Sequence, residues 1–198
     1  MTDWNERYTR GDTPWEKGRA APPLLELFSR TDPGLWGCGP ILVPGCGTGH
    51  DVRALATLGL PILGLDLAEE AVSRADAYAK VAHETYAHGD FLDPLWRRGK
   101  SFSAIWEHTC YCAINPARRP DYAESCAELI QSGGHLIGVF YLTPNQPGEE
   151  HQGPPFNATI DELDARFSPW FTREDGWVPE NSYPGREGQE WIGIYRRK

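Results

Sequence analysis

The sequence predicts an α/β fold: a doubly wound, mostly parallel seven-stranded sheet with helices on both faces. Three observations predict it. Short apolar runs alternate with stretches of helical periodicity, the first run opens into a glycine-rich turn, and the second closes on an acid. Ile41 to Pro44 is the first run, and Asp51 to Leu58 follows with Val52, Leu55 and Ala56 at helical spacing and Gly59 at its end. Pro61 to Leu65 is the second run, closed by Asp66, and the Ala-rich stretch Ala68 to Val81 favours helix. Thr85 to Ala87, ahead of the turn Gly89-Asp90, and Phe102 to Trp106 give the third and fourth strands. Asp121 to Gln131 reads as a helix stopping at Gly133-Gly134, before the strongest strand, His135 to Leu142. Strands separated by helices imply parallel pairing through right-handed crossovers. Thr143 to Asn157 is rich in Pro, Gly and Glu and predicts a loop long enough to act as a lid facing the pocket. A short helix near Thr159 to Phe167 and strands near Phe171 to Val178 and Glu190 to Tyr195 are expected to close the sheet in antiparallel fashion.

A chain of 198 residues is the size of one ordinary domain, so 1–198 is read as a single unit. A net charge of −9 argues against nucleic acid or an anionic membrane as partner, since either needs clustered Lys and Arg. That leaves small molecules or other proteins. Met1 to Arg10 is polar, without an apolar signal core, and no apolar run approaches the ~20 residues of a membrane span, so the expected location is cytoplasmic. Five cysteines, an odd number, fit a reducing compartment better than a disulfide framework. Cys110-x-Cys112 lacks zinc-ligand spacing and a second pair, so no metal is expected. A monomer is expected because no spare amphipathic element calls for a partner. Eight tryptophans and 17 prolines fall partly outside the predicted elements, where aromatics often line a ligand pocket.

The glycine turn Gly45-x-Gly47-x-Gly49 lies where the first strand hands over to the first helix of the sheet. Glycine there lets backbone approach a ligand, and a helix start offers free N–H groups. A tight turn without a ligand would look the same. Asp66 lies 21 residues after Gly45, at a carboxyl end that the topology puts beside the turn, where a carboxylate can accept both hydroxyls of a ribose. Nicotinamide dinucleotides use the same geometry. The acid in His50-Asp51, however, repels a pyrophosphate and suits a ligand carrying an ammonium and a sulfonium, which favours S-adenosylmethionine. In Gly89-Asp90-Phe91, Asp90 offers an acceptor for an adenine amino group and Phe91 a ring to stack on the base. Asp90 as a mere cap or turn residue is the alternative.

These residues carry a family resemblance. The chain resembles the thiol, halide and thiopurine methyltransferases, and most closely the halide/thiol branch. That branch shares an amino-terminal W-x3-[WY]-x6-W pattern ending in T-P-W-[DE]-x-G-R-A; here it reads Trp4, Tyr8 and Trp15 within Asp12 to Ala20. The resemblance continues through VPGCGTGHD, GLDLAEEAV, GDFLD, IWEHTCYCAINPARRP and FYLTPNQPGEEHQGPPF, so it spans nearly the whole chain. It implies the Rossmann-like class I methyltransferase fold and S-adenosylmethionine as methyl donor, with S-adenosylhomocysteine as product. It implies that Trp4, Tyr8 and Trp15 cover the donor, with residues 1–20 as an aromatic lid. Gly45, Gly47 and Gly49 would lie at its methionyl part, Asp66 at the ribose, and Asp90 and Phe91 at the adenine. His108 stands where close relatives carry tyrosine; a ring nitrogen can still touch the donor, and a titrating base is not implied. Without the resemblance, Trp4, Tyr8 and Trp15 read as an amphipathic starting helix packed on the core, broken by Thr13-Pro14.

Transfer from a sulfonium to a soft anion is an in-line displacement that water opposes by solvating the anion. It needs a dry, aligning pocket and no nucleophilic side chain. Trp15, Tyr111 and Tyr141 are expected to shape the acceptor pocket, Tyr141 from the carboxyl end of a central strand; Tyr111 and Tyr141 as core caps are the alternative. Arg118 and Arg119 would attract anions or simply be solvated. The expected acceptor is a thiol, hydrosulfide, thiocyanate or halide. A thiopurine or a selenium or tellurium compound is the bulkier alternative, and a non-catalytic sensor of the methyl donor or its product is the alternative of another class.

Overall fold

The structure, a computed structural model, describes residues 2–146, 148–149 and 152–198. Its strands are β1 (Ile41–Pro44), β2 (Ile62–Asp66), β3 (Glu84–His88), β4 (Phe102–His108), β5 (Ile130–Tyr141), β6 (Phe171–Trp177) and β7 (Glu190–Arg197). They form one sheet in the order β3-β2-β1-β4-β5-β7-β6. The first five are parallel, and β7 returns antiparallel between β5 and β6. Among the described residues seven α-helices accompany them: α1 (Trp4–Arg10), α2 (Pro22–Arg30), α3 (His50–Ala56), α4 (Glu69–Asp76), α5 (Pro94–Arg97), α6 (Arg119–Leu129) and α7 (Ile160–Phe167).

Side chains alternate across the pleat, and that alternation builds two cores. Leu42, Ile105, Leu136, Phe140, Trp191 and Tyr195 face α6 and α7, which supply Tyr122, Cys126, Leu129, Leu163 and Phe167. The intervening residues Ile41, Val43, Ala104, Trp106, Ile137, Val139, Ile192 and Ile194 face α2 and α3, which supply Leu24, Leu27, Val52 and Leu55. Each aliphatic side chain buried completely contributes about 1.5–3 kcal/mol. A covered sheet explains why the central strands read as unbroken apolar runs.

Several boundaries differ from expectation for physical reasons. The helix expected over Ala68 to Val81 stops at Asp76, because the Glu84 carboxylate captures the N–H groups of Val81 (2.6 Å) and Ala82 (2.8 Å) and turns the chain into β3. The glycines expected to end a helix, Gly133 and Gly134, lie inside β5. Ile130 already pairs with Phe102, and four residues bulge out before pairing resumes at Ala104 and His135. α2, which no expectation covered, buries Leu24 and Leu27, and Glu26 anchors it by accepting from the Trp177 indole (3.0 Å) and the Asn181 N–H (2.9 Å) near the far edge of the sheet. Among the described residues no helix is long and apolar enough to cross a membrane.

Candidate active site

The strand order reverses between β1 and β4, so their connections part and leave a crevice beyond the strand ends. A cavity of about 570 Å³ fills it. Of the residues singled out in the sequence, Trp4, Tyr8, Trp15, Gly45, Gly47, Asp66, Asp90, Phe91, His108 and Tyr141 all border this cavity. Gly49 and Tyr111 do not.

One end of the cavity is backbone. Gly45 and Gly47 take φ values of 61° and 54°, a region that strains any residue with a Cβ. A Cβ on Gly47 would also lie 2.9 Å from the Tyr8 hydroxyl, which closes over the turn. Asp66 holds the turn from beside it, accepting from Gly47 N and Ala68 N, each at 2.8 Å. Burial pushes the Asp66 carboxyl above its ordinary range, against those two bonds. Asp90 turns the next loop by accepting from Leu92 N at 2.8 Å, and Phe91 packs against Tyr122 with ring centroids 5.1 Å apart. Gly49 instead caps α3.

The roof is aromatic. Trp15 stands edge-on to Trp4 (5.3 Å) and Tyr8 (5.7 Å), and its indole N–H donates to the Tyr8 hydroxyl at 2.9 Å. The Arg7 guanidinium lies 4.3 Å from the Trp15 ring centre. α1 is docked on α4, where Arg74 donates to the Tyr8 carbonyl at 2.7 Å and Glu70 N donates to Asn5 at 2.9 Å. A clasp not anticipated from sequence then ties the roof to the glycine turn. Arg53 donates to His50 Nδ1 (3.1 Å), so Nε2 carries the proton and donates to Glu16 (2.9 Å), which also accepts from the Thr48 hydroxyl and from Gly18 N. Burial would raise the Glu16 pKa; these donors outweigh it and hold it at about 2.

Asp51 accepts from Ala21 N at 2.7 Å on one oxygen, and from the Trp106 indole (2.8 Å) and His108 Nδ1 (2.9 Å) on the other. Burial penalises its charge, yet the His108 and Trp106 bonds keep its carboxyl below the usual range. The acid expected to face a ligand's ammonium therefore has its oxygens engaged by the chain's own donors. On His108 the other nitrogen, Nε2, is buried without a partner among the described residues, and the ring stacks on Tyr183 at 6.0 Å.

The far end is made of side chains: Cys112, Tyr141, Pro154, Pro155, Tyr183 and Arg186. Arg186 is only 9% exposed. It donates through Nη1 to Glu190 at 3.2 Å, and its guanidinium lies 4.6 Å from the Tyr141 ring centre and 5.6 Å from that of Tyr183. Its Nε and Nη2 have no hydrogen bond among the described residues. The Tyr141 hydroxyl has one distant partner, Gln189 at 3.5 Å. Within the loop expected to be a lid, Pro147, Glu150 and His151 lie outside the described residues, and Phe156 N is pinned to the Cys112 carbonyl at 2.7 Å.

Two expectations are corrected. Tyr111 is a core residue: it is 1% exposed, packs on Tyr122, Phe140 and Phe167, and its hydroxyl donates to Glu162. Arg119 is neither solvated nor available to anions, because it is buried over the Tyr111 ring and bonded to Glu162 and the carbonyls of Phe156 and Asn157. Arg118 does border the cavity, paired with Asp121 at 3.0 Å. Besides the clasp, Tyr183 and Arg186, Glu107 was overlooked, buried at the end of β4. It accepts from Cys110 N (3.0 Å), Tyr111 N (2.9 Å) and the Tyr122 hydroxyl and so shapes the loop in which Thr109 takes a φ of 62°. An acid closing an apolar run was its only signal.

The fold matches solved structures over its full length. A chain solved in work on the conversion of a disulfide bond into a thioacetal group during echinomycin biosynthesis superposes with a TM-score of 0.77, covering 100% of this chain and 93% of its own at 23% identity. The N-methyltransferase NodS from Bradyrhizobium japonicum WM9, solved with S-adenosylhomocysteine, superposes with a TM-score of 0.64 over 98% of this chain and 89% of its own at 16% identity. The molecule is a class I, S-adenosylmethionine-dependent methyltransferase. Residues 1–182 match the family model of Thiopurine S-methyltransferase, and the chain belongs to that family. Among its relatives are Thiocyanate methyltransferase 1 of Brassica oleracea, 33% identical over 98% of this chain and 84% of the relative, and Thiopurine S-methyltransferase of Pseudomonas fluorescens, 28% identical over 86% and 83%.

Proposed function

We propose that the protein methylates a small soft anion: hydrosulfide, a small thiolate, thiocyanate or a halide. The observation that carries this reading is Arg186, a nearly buried guanidinium whose Nε and Nη2 are unbonded among the described residues, set among Tyr141, Tyr183 and two prolines at the far end of the cavity. A guanidinium in an apolar wall attracts a weakly hydrated anion while offering little to a neutral or cationic acceptor. The similarity to proteins named for thiocyanate and thiol methylation supports it.

The residues at the other end fit S-adenosylmethionine: a bare glycine turn, a carboxylate at the end of β2, an aromatic roof and the His108 side chain border one cavity. Bound there, it supplies an electrophilic methyl group on a sulfonium. In this reading Gly45 and Gly47 hold its methionyl part, with Gly49 supporting the turn. Asp66 takes the ribose hydroxyls, and Asp90 and Phe91 the adenine. Residues 1–20 form a lid in which Trp4, Tyr8 and Trp15 shield the cation, an aromatic contact worth up to about 2 kcal/mol when desolvated. His108 lies between donor and acceptor. Trp15 and Tyr141 shape the acceptor pocket, Arg186 orients the anion, and exclusion of water leaves the anion reactive. The same reading has the protein working as a cytoplasmic monomer on small molecules, which size-exclusion chromatography tests for the oligomeric state.

The deciding experiment incubates purified protein with methyl-labelled S-adenosylmethionine and, separately, iodide, thiocyanate, hydrosulfide, a small thiol, selenite and a thiopurine. Label transferred to the first four supports the reading. Transfer only to the thiopurine or selenite places the acceptor in the bulkier class, and tight donor binding with no transfer to any acceptor makes the protein a sensor.

A further inference from the structure

His108, whose second ring nitrogen has no partner among the described residues, stands in the cavity wall. His108 is fixed on one side. Asp51 accepts from Nδ1 at 2.9 Å, and Asp51 is itself held by Trp106 and Ala21 N, so the carboxylate cannot rotate away. Tyr183 stacks on the ring at an interplanar angle of 27°, and its own hydroxyl is committed to the Arg19 carbonyl at 2.7 Å. An imidazole that donates from Nδ1 carries a lone pair on Nε2. That lone pair is buried with no donor among the described residues, on a side chain that borders the cavity. A buried acceptor is left without a donor in few native structures, and a catalytic role is one of the recognised reasons for such a group.

Resting on the proposed function, we infer that His108, with Asp51 as its positioning residue, is a general base that admits protonated sulfur acceptors, hydrosulfide's parent acid and small thiols, at pH values where little of them is ionised. The S–H proton moves to His108 Nε2 and its bonding pair stays on sulfur. That pair forms the new S–CH3 bond while the bond from the methyl carbon to the sulfonium sulfur breaks, its pair remaining with the departing sulfur. The imidazolium then releases the proton to water. Asp51 stabilises the imidazolium without taking its proton, as a buried carboxylate does behind other catalytic histidines. Thiocyanate and halides bear no proton and have no use for this base.

The charged and titratable groups around the imidazole are few among the described residues. α3 supplies Asp51, the segment before β7 supplies Tyr183 and Arg186, the amino-terminal segment supplies Arg19, and β4 and its loop supply Glu107 and Cys110. Glu107 is engaged by Tyr122 and two backbone N–H groups. Burial raises the Cys110 and Tyr183 side chains, keeping both protonated at neutral pH, and Asp51 is the carboxylate bonded to the ring.

The test compares kcat/KM for a small thiol of ordinary pKa, about 8.5, with that for thiocyanate, from pH 5.5 to 9, in the wild type and in His108→Gln. At pH 6.5 the thiol-to-thiocyanate ratio is expected to fall about 100-fold in the variant, the usual size of a general-base contribution, and to recover as the thiol ionises unaided. A ratio unchanged at every pH overturns the proposal, as does an equal loss for both acceptors together with weaker donor binding, which would make His108 a donor contact. Transfer to neither acceptor by the wild type removes the proposed function and this base with it. Independently of turnover, nitrogen-15 spectra of the histidine rings should show His108 protonated at Nδ1 in the free protein and changed in Asp51→Asn. Protonation at Nε2 alone would overturn the proposal, since that nitrogen could not then accept a proton.

Discussion

The two ends of the cavity are built from different materials. Beside Asp66, the wall is main chain: a glycine turn with positive φ, tied through Gly47 N to a carboxylate whose other oxygen accepts from Ala68 N. Beside Tyr141, it is side chains from the end of β5 and three separate connections, with Arg186 lying against the rings of Tyr141 and Tyr183. A main-chain wall accommodates one fixed shape and tolerates little change, because its geometry is set by the strand ends. A side-chain wall can be altered residue by residue without disturbing the sheet. The difference suits a site whose donor is constant and whose acceptor varies.

That contrast is broken most directly at Asp66. Asp66→Ala removes the carboxylate proposed to take the ribose hydroxyls and releases the N–H groups of Gly47 and Ala68, so S-adenosylmethionine affinity should fall by 100-fold or more, given about 1.5–3 kcal/mol for each charged hydrogen bond. Isothermal titration calorimetry measures it, and an affinity within threefold of wild type would remove Asp66 from the donor site. At the other end, Arg186→Met paired with Glu190→Gln, to spare the fold an unpaired buried carboxylate, should lower kcat/KM for thiocyanate about 30-fold. Donor affinity should move less than threefold. Equal losses in both would show that the two ends are not separable.

The same contrast governs what could be read from the chain. β1, the turn and α3 were legible because glycine spacing and apolar periodicity are local signals, and Asp66 followed from the topology they imply. Tyr111 was misplaced because Tyr111–Ala113 is a short 3-10 turn: Cys112 borders the cavity while its neighbour turns into the core, and no strand or helix period tells them apart. Tyr183 and Arg186 sit in a Pro- and Gly-containing connection whose position is decided only when β7 returns antiparallel beside β5. The partners of Asp51 lie 30, 55 and 57 residues away, so an acid that looked available to a ligand was in fact engaged.

Tyr141 sharpens the comparison with a smaller effect. Among the described residues its hydroxyl has only a 3.5 Å contact to Gln189, so its removal frees no strong partner there. Tyr141→Phe should lower turnover about threefold to tenfold, with donor affinity unchanged in a direct binding measurement. A larger change in donor affinity than in turnover would move Tyr141 out of the acceptor wall.

The smallest expected effect lies at the seam between the ends, where Glu16 ties the amino-terminal roof to the glycine turn. Its folded pKa is about 2, against an ordinary 4.5, because the bonds from His50, Thr48 and Gly18 outweigh its burial. A depressed carboxylate pKa means that the ionised form is the stabilised one. Its contribution is complete above about pH 4.5, declines as pH falls and is gone near pH 2. Glu16 is partly open to solvent, so the contribution at pH 7 is about 1 kcal/mol after screening, or about 2–4 °C in Tm. Glu16→Gln should therefore melt that much earlier at pH 7, with the gap to wild type closing as the melts are repeated toward pH 2.5. A gap independent of pH would assign the loss to altered packing under Trp15 and leave the charge of the clasp without a role.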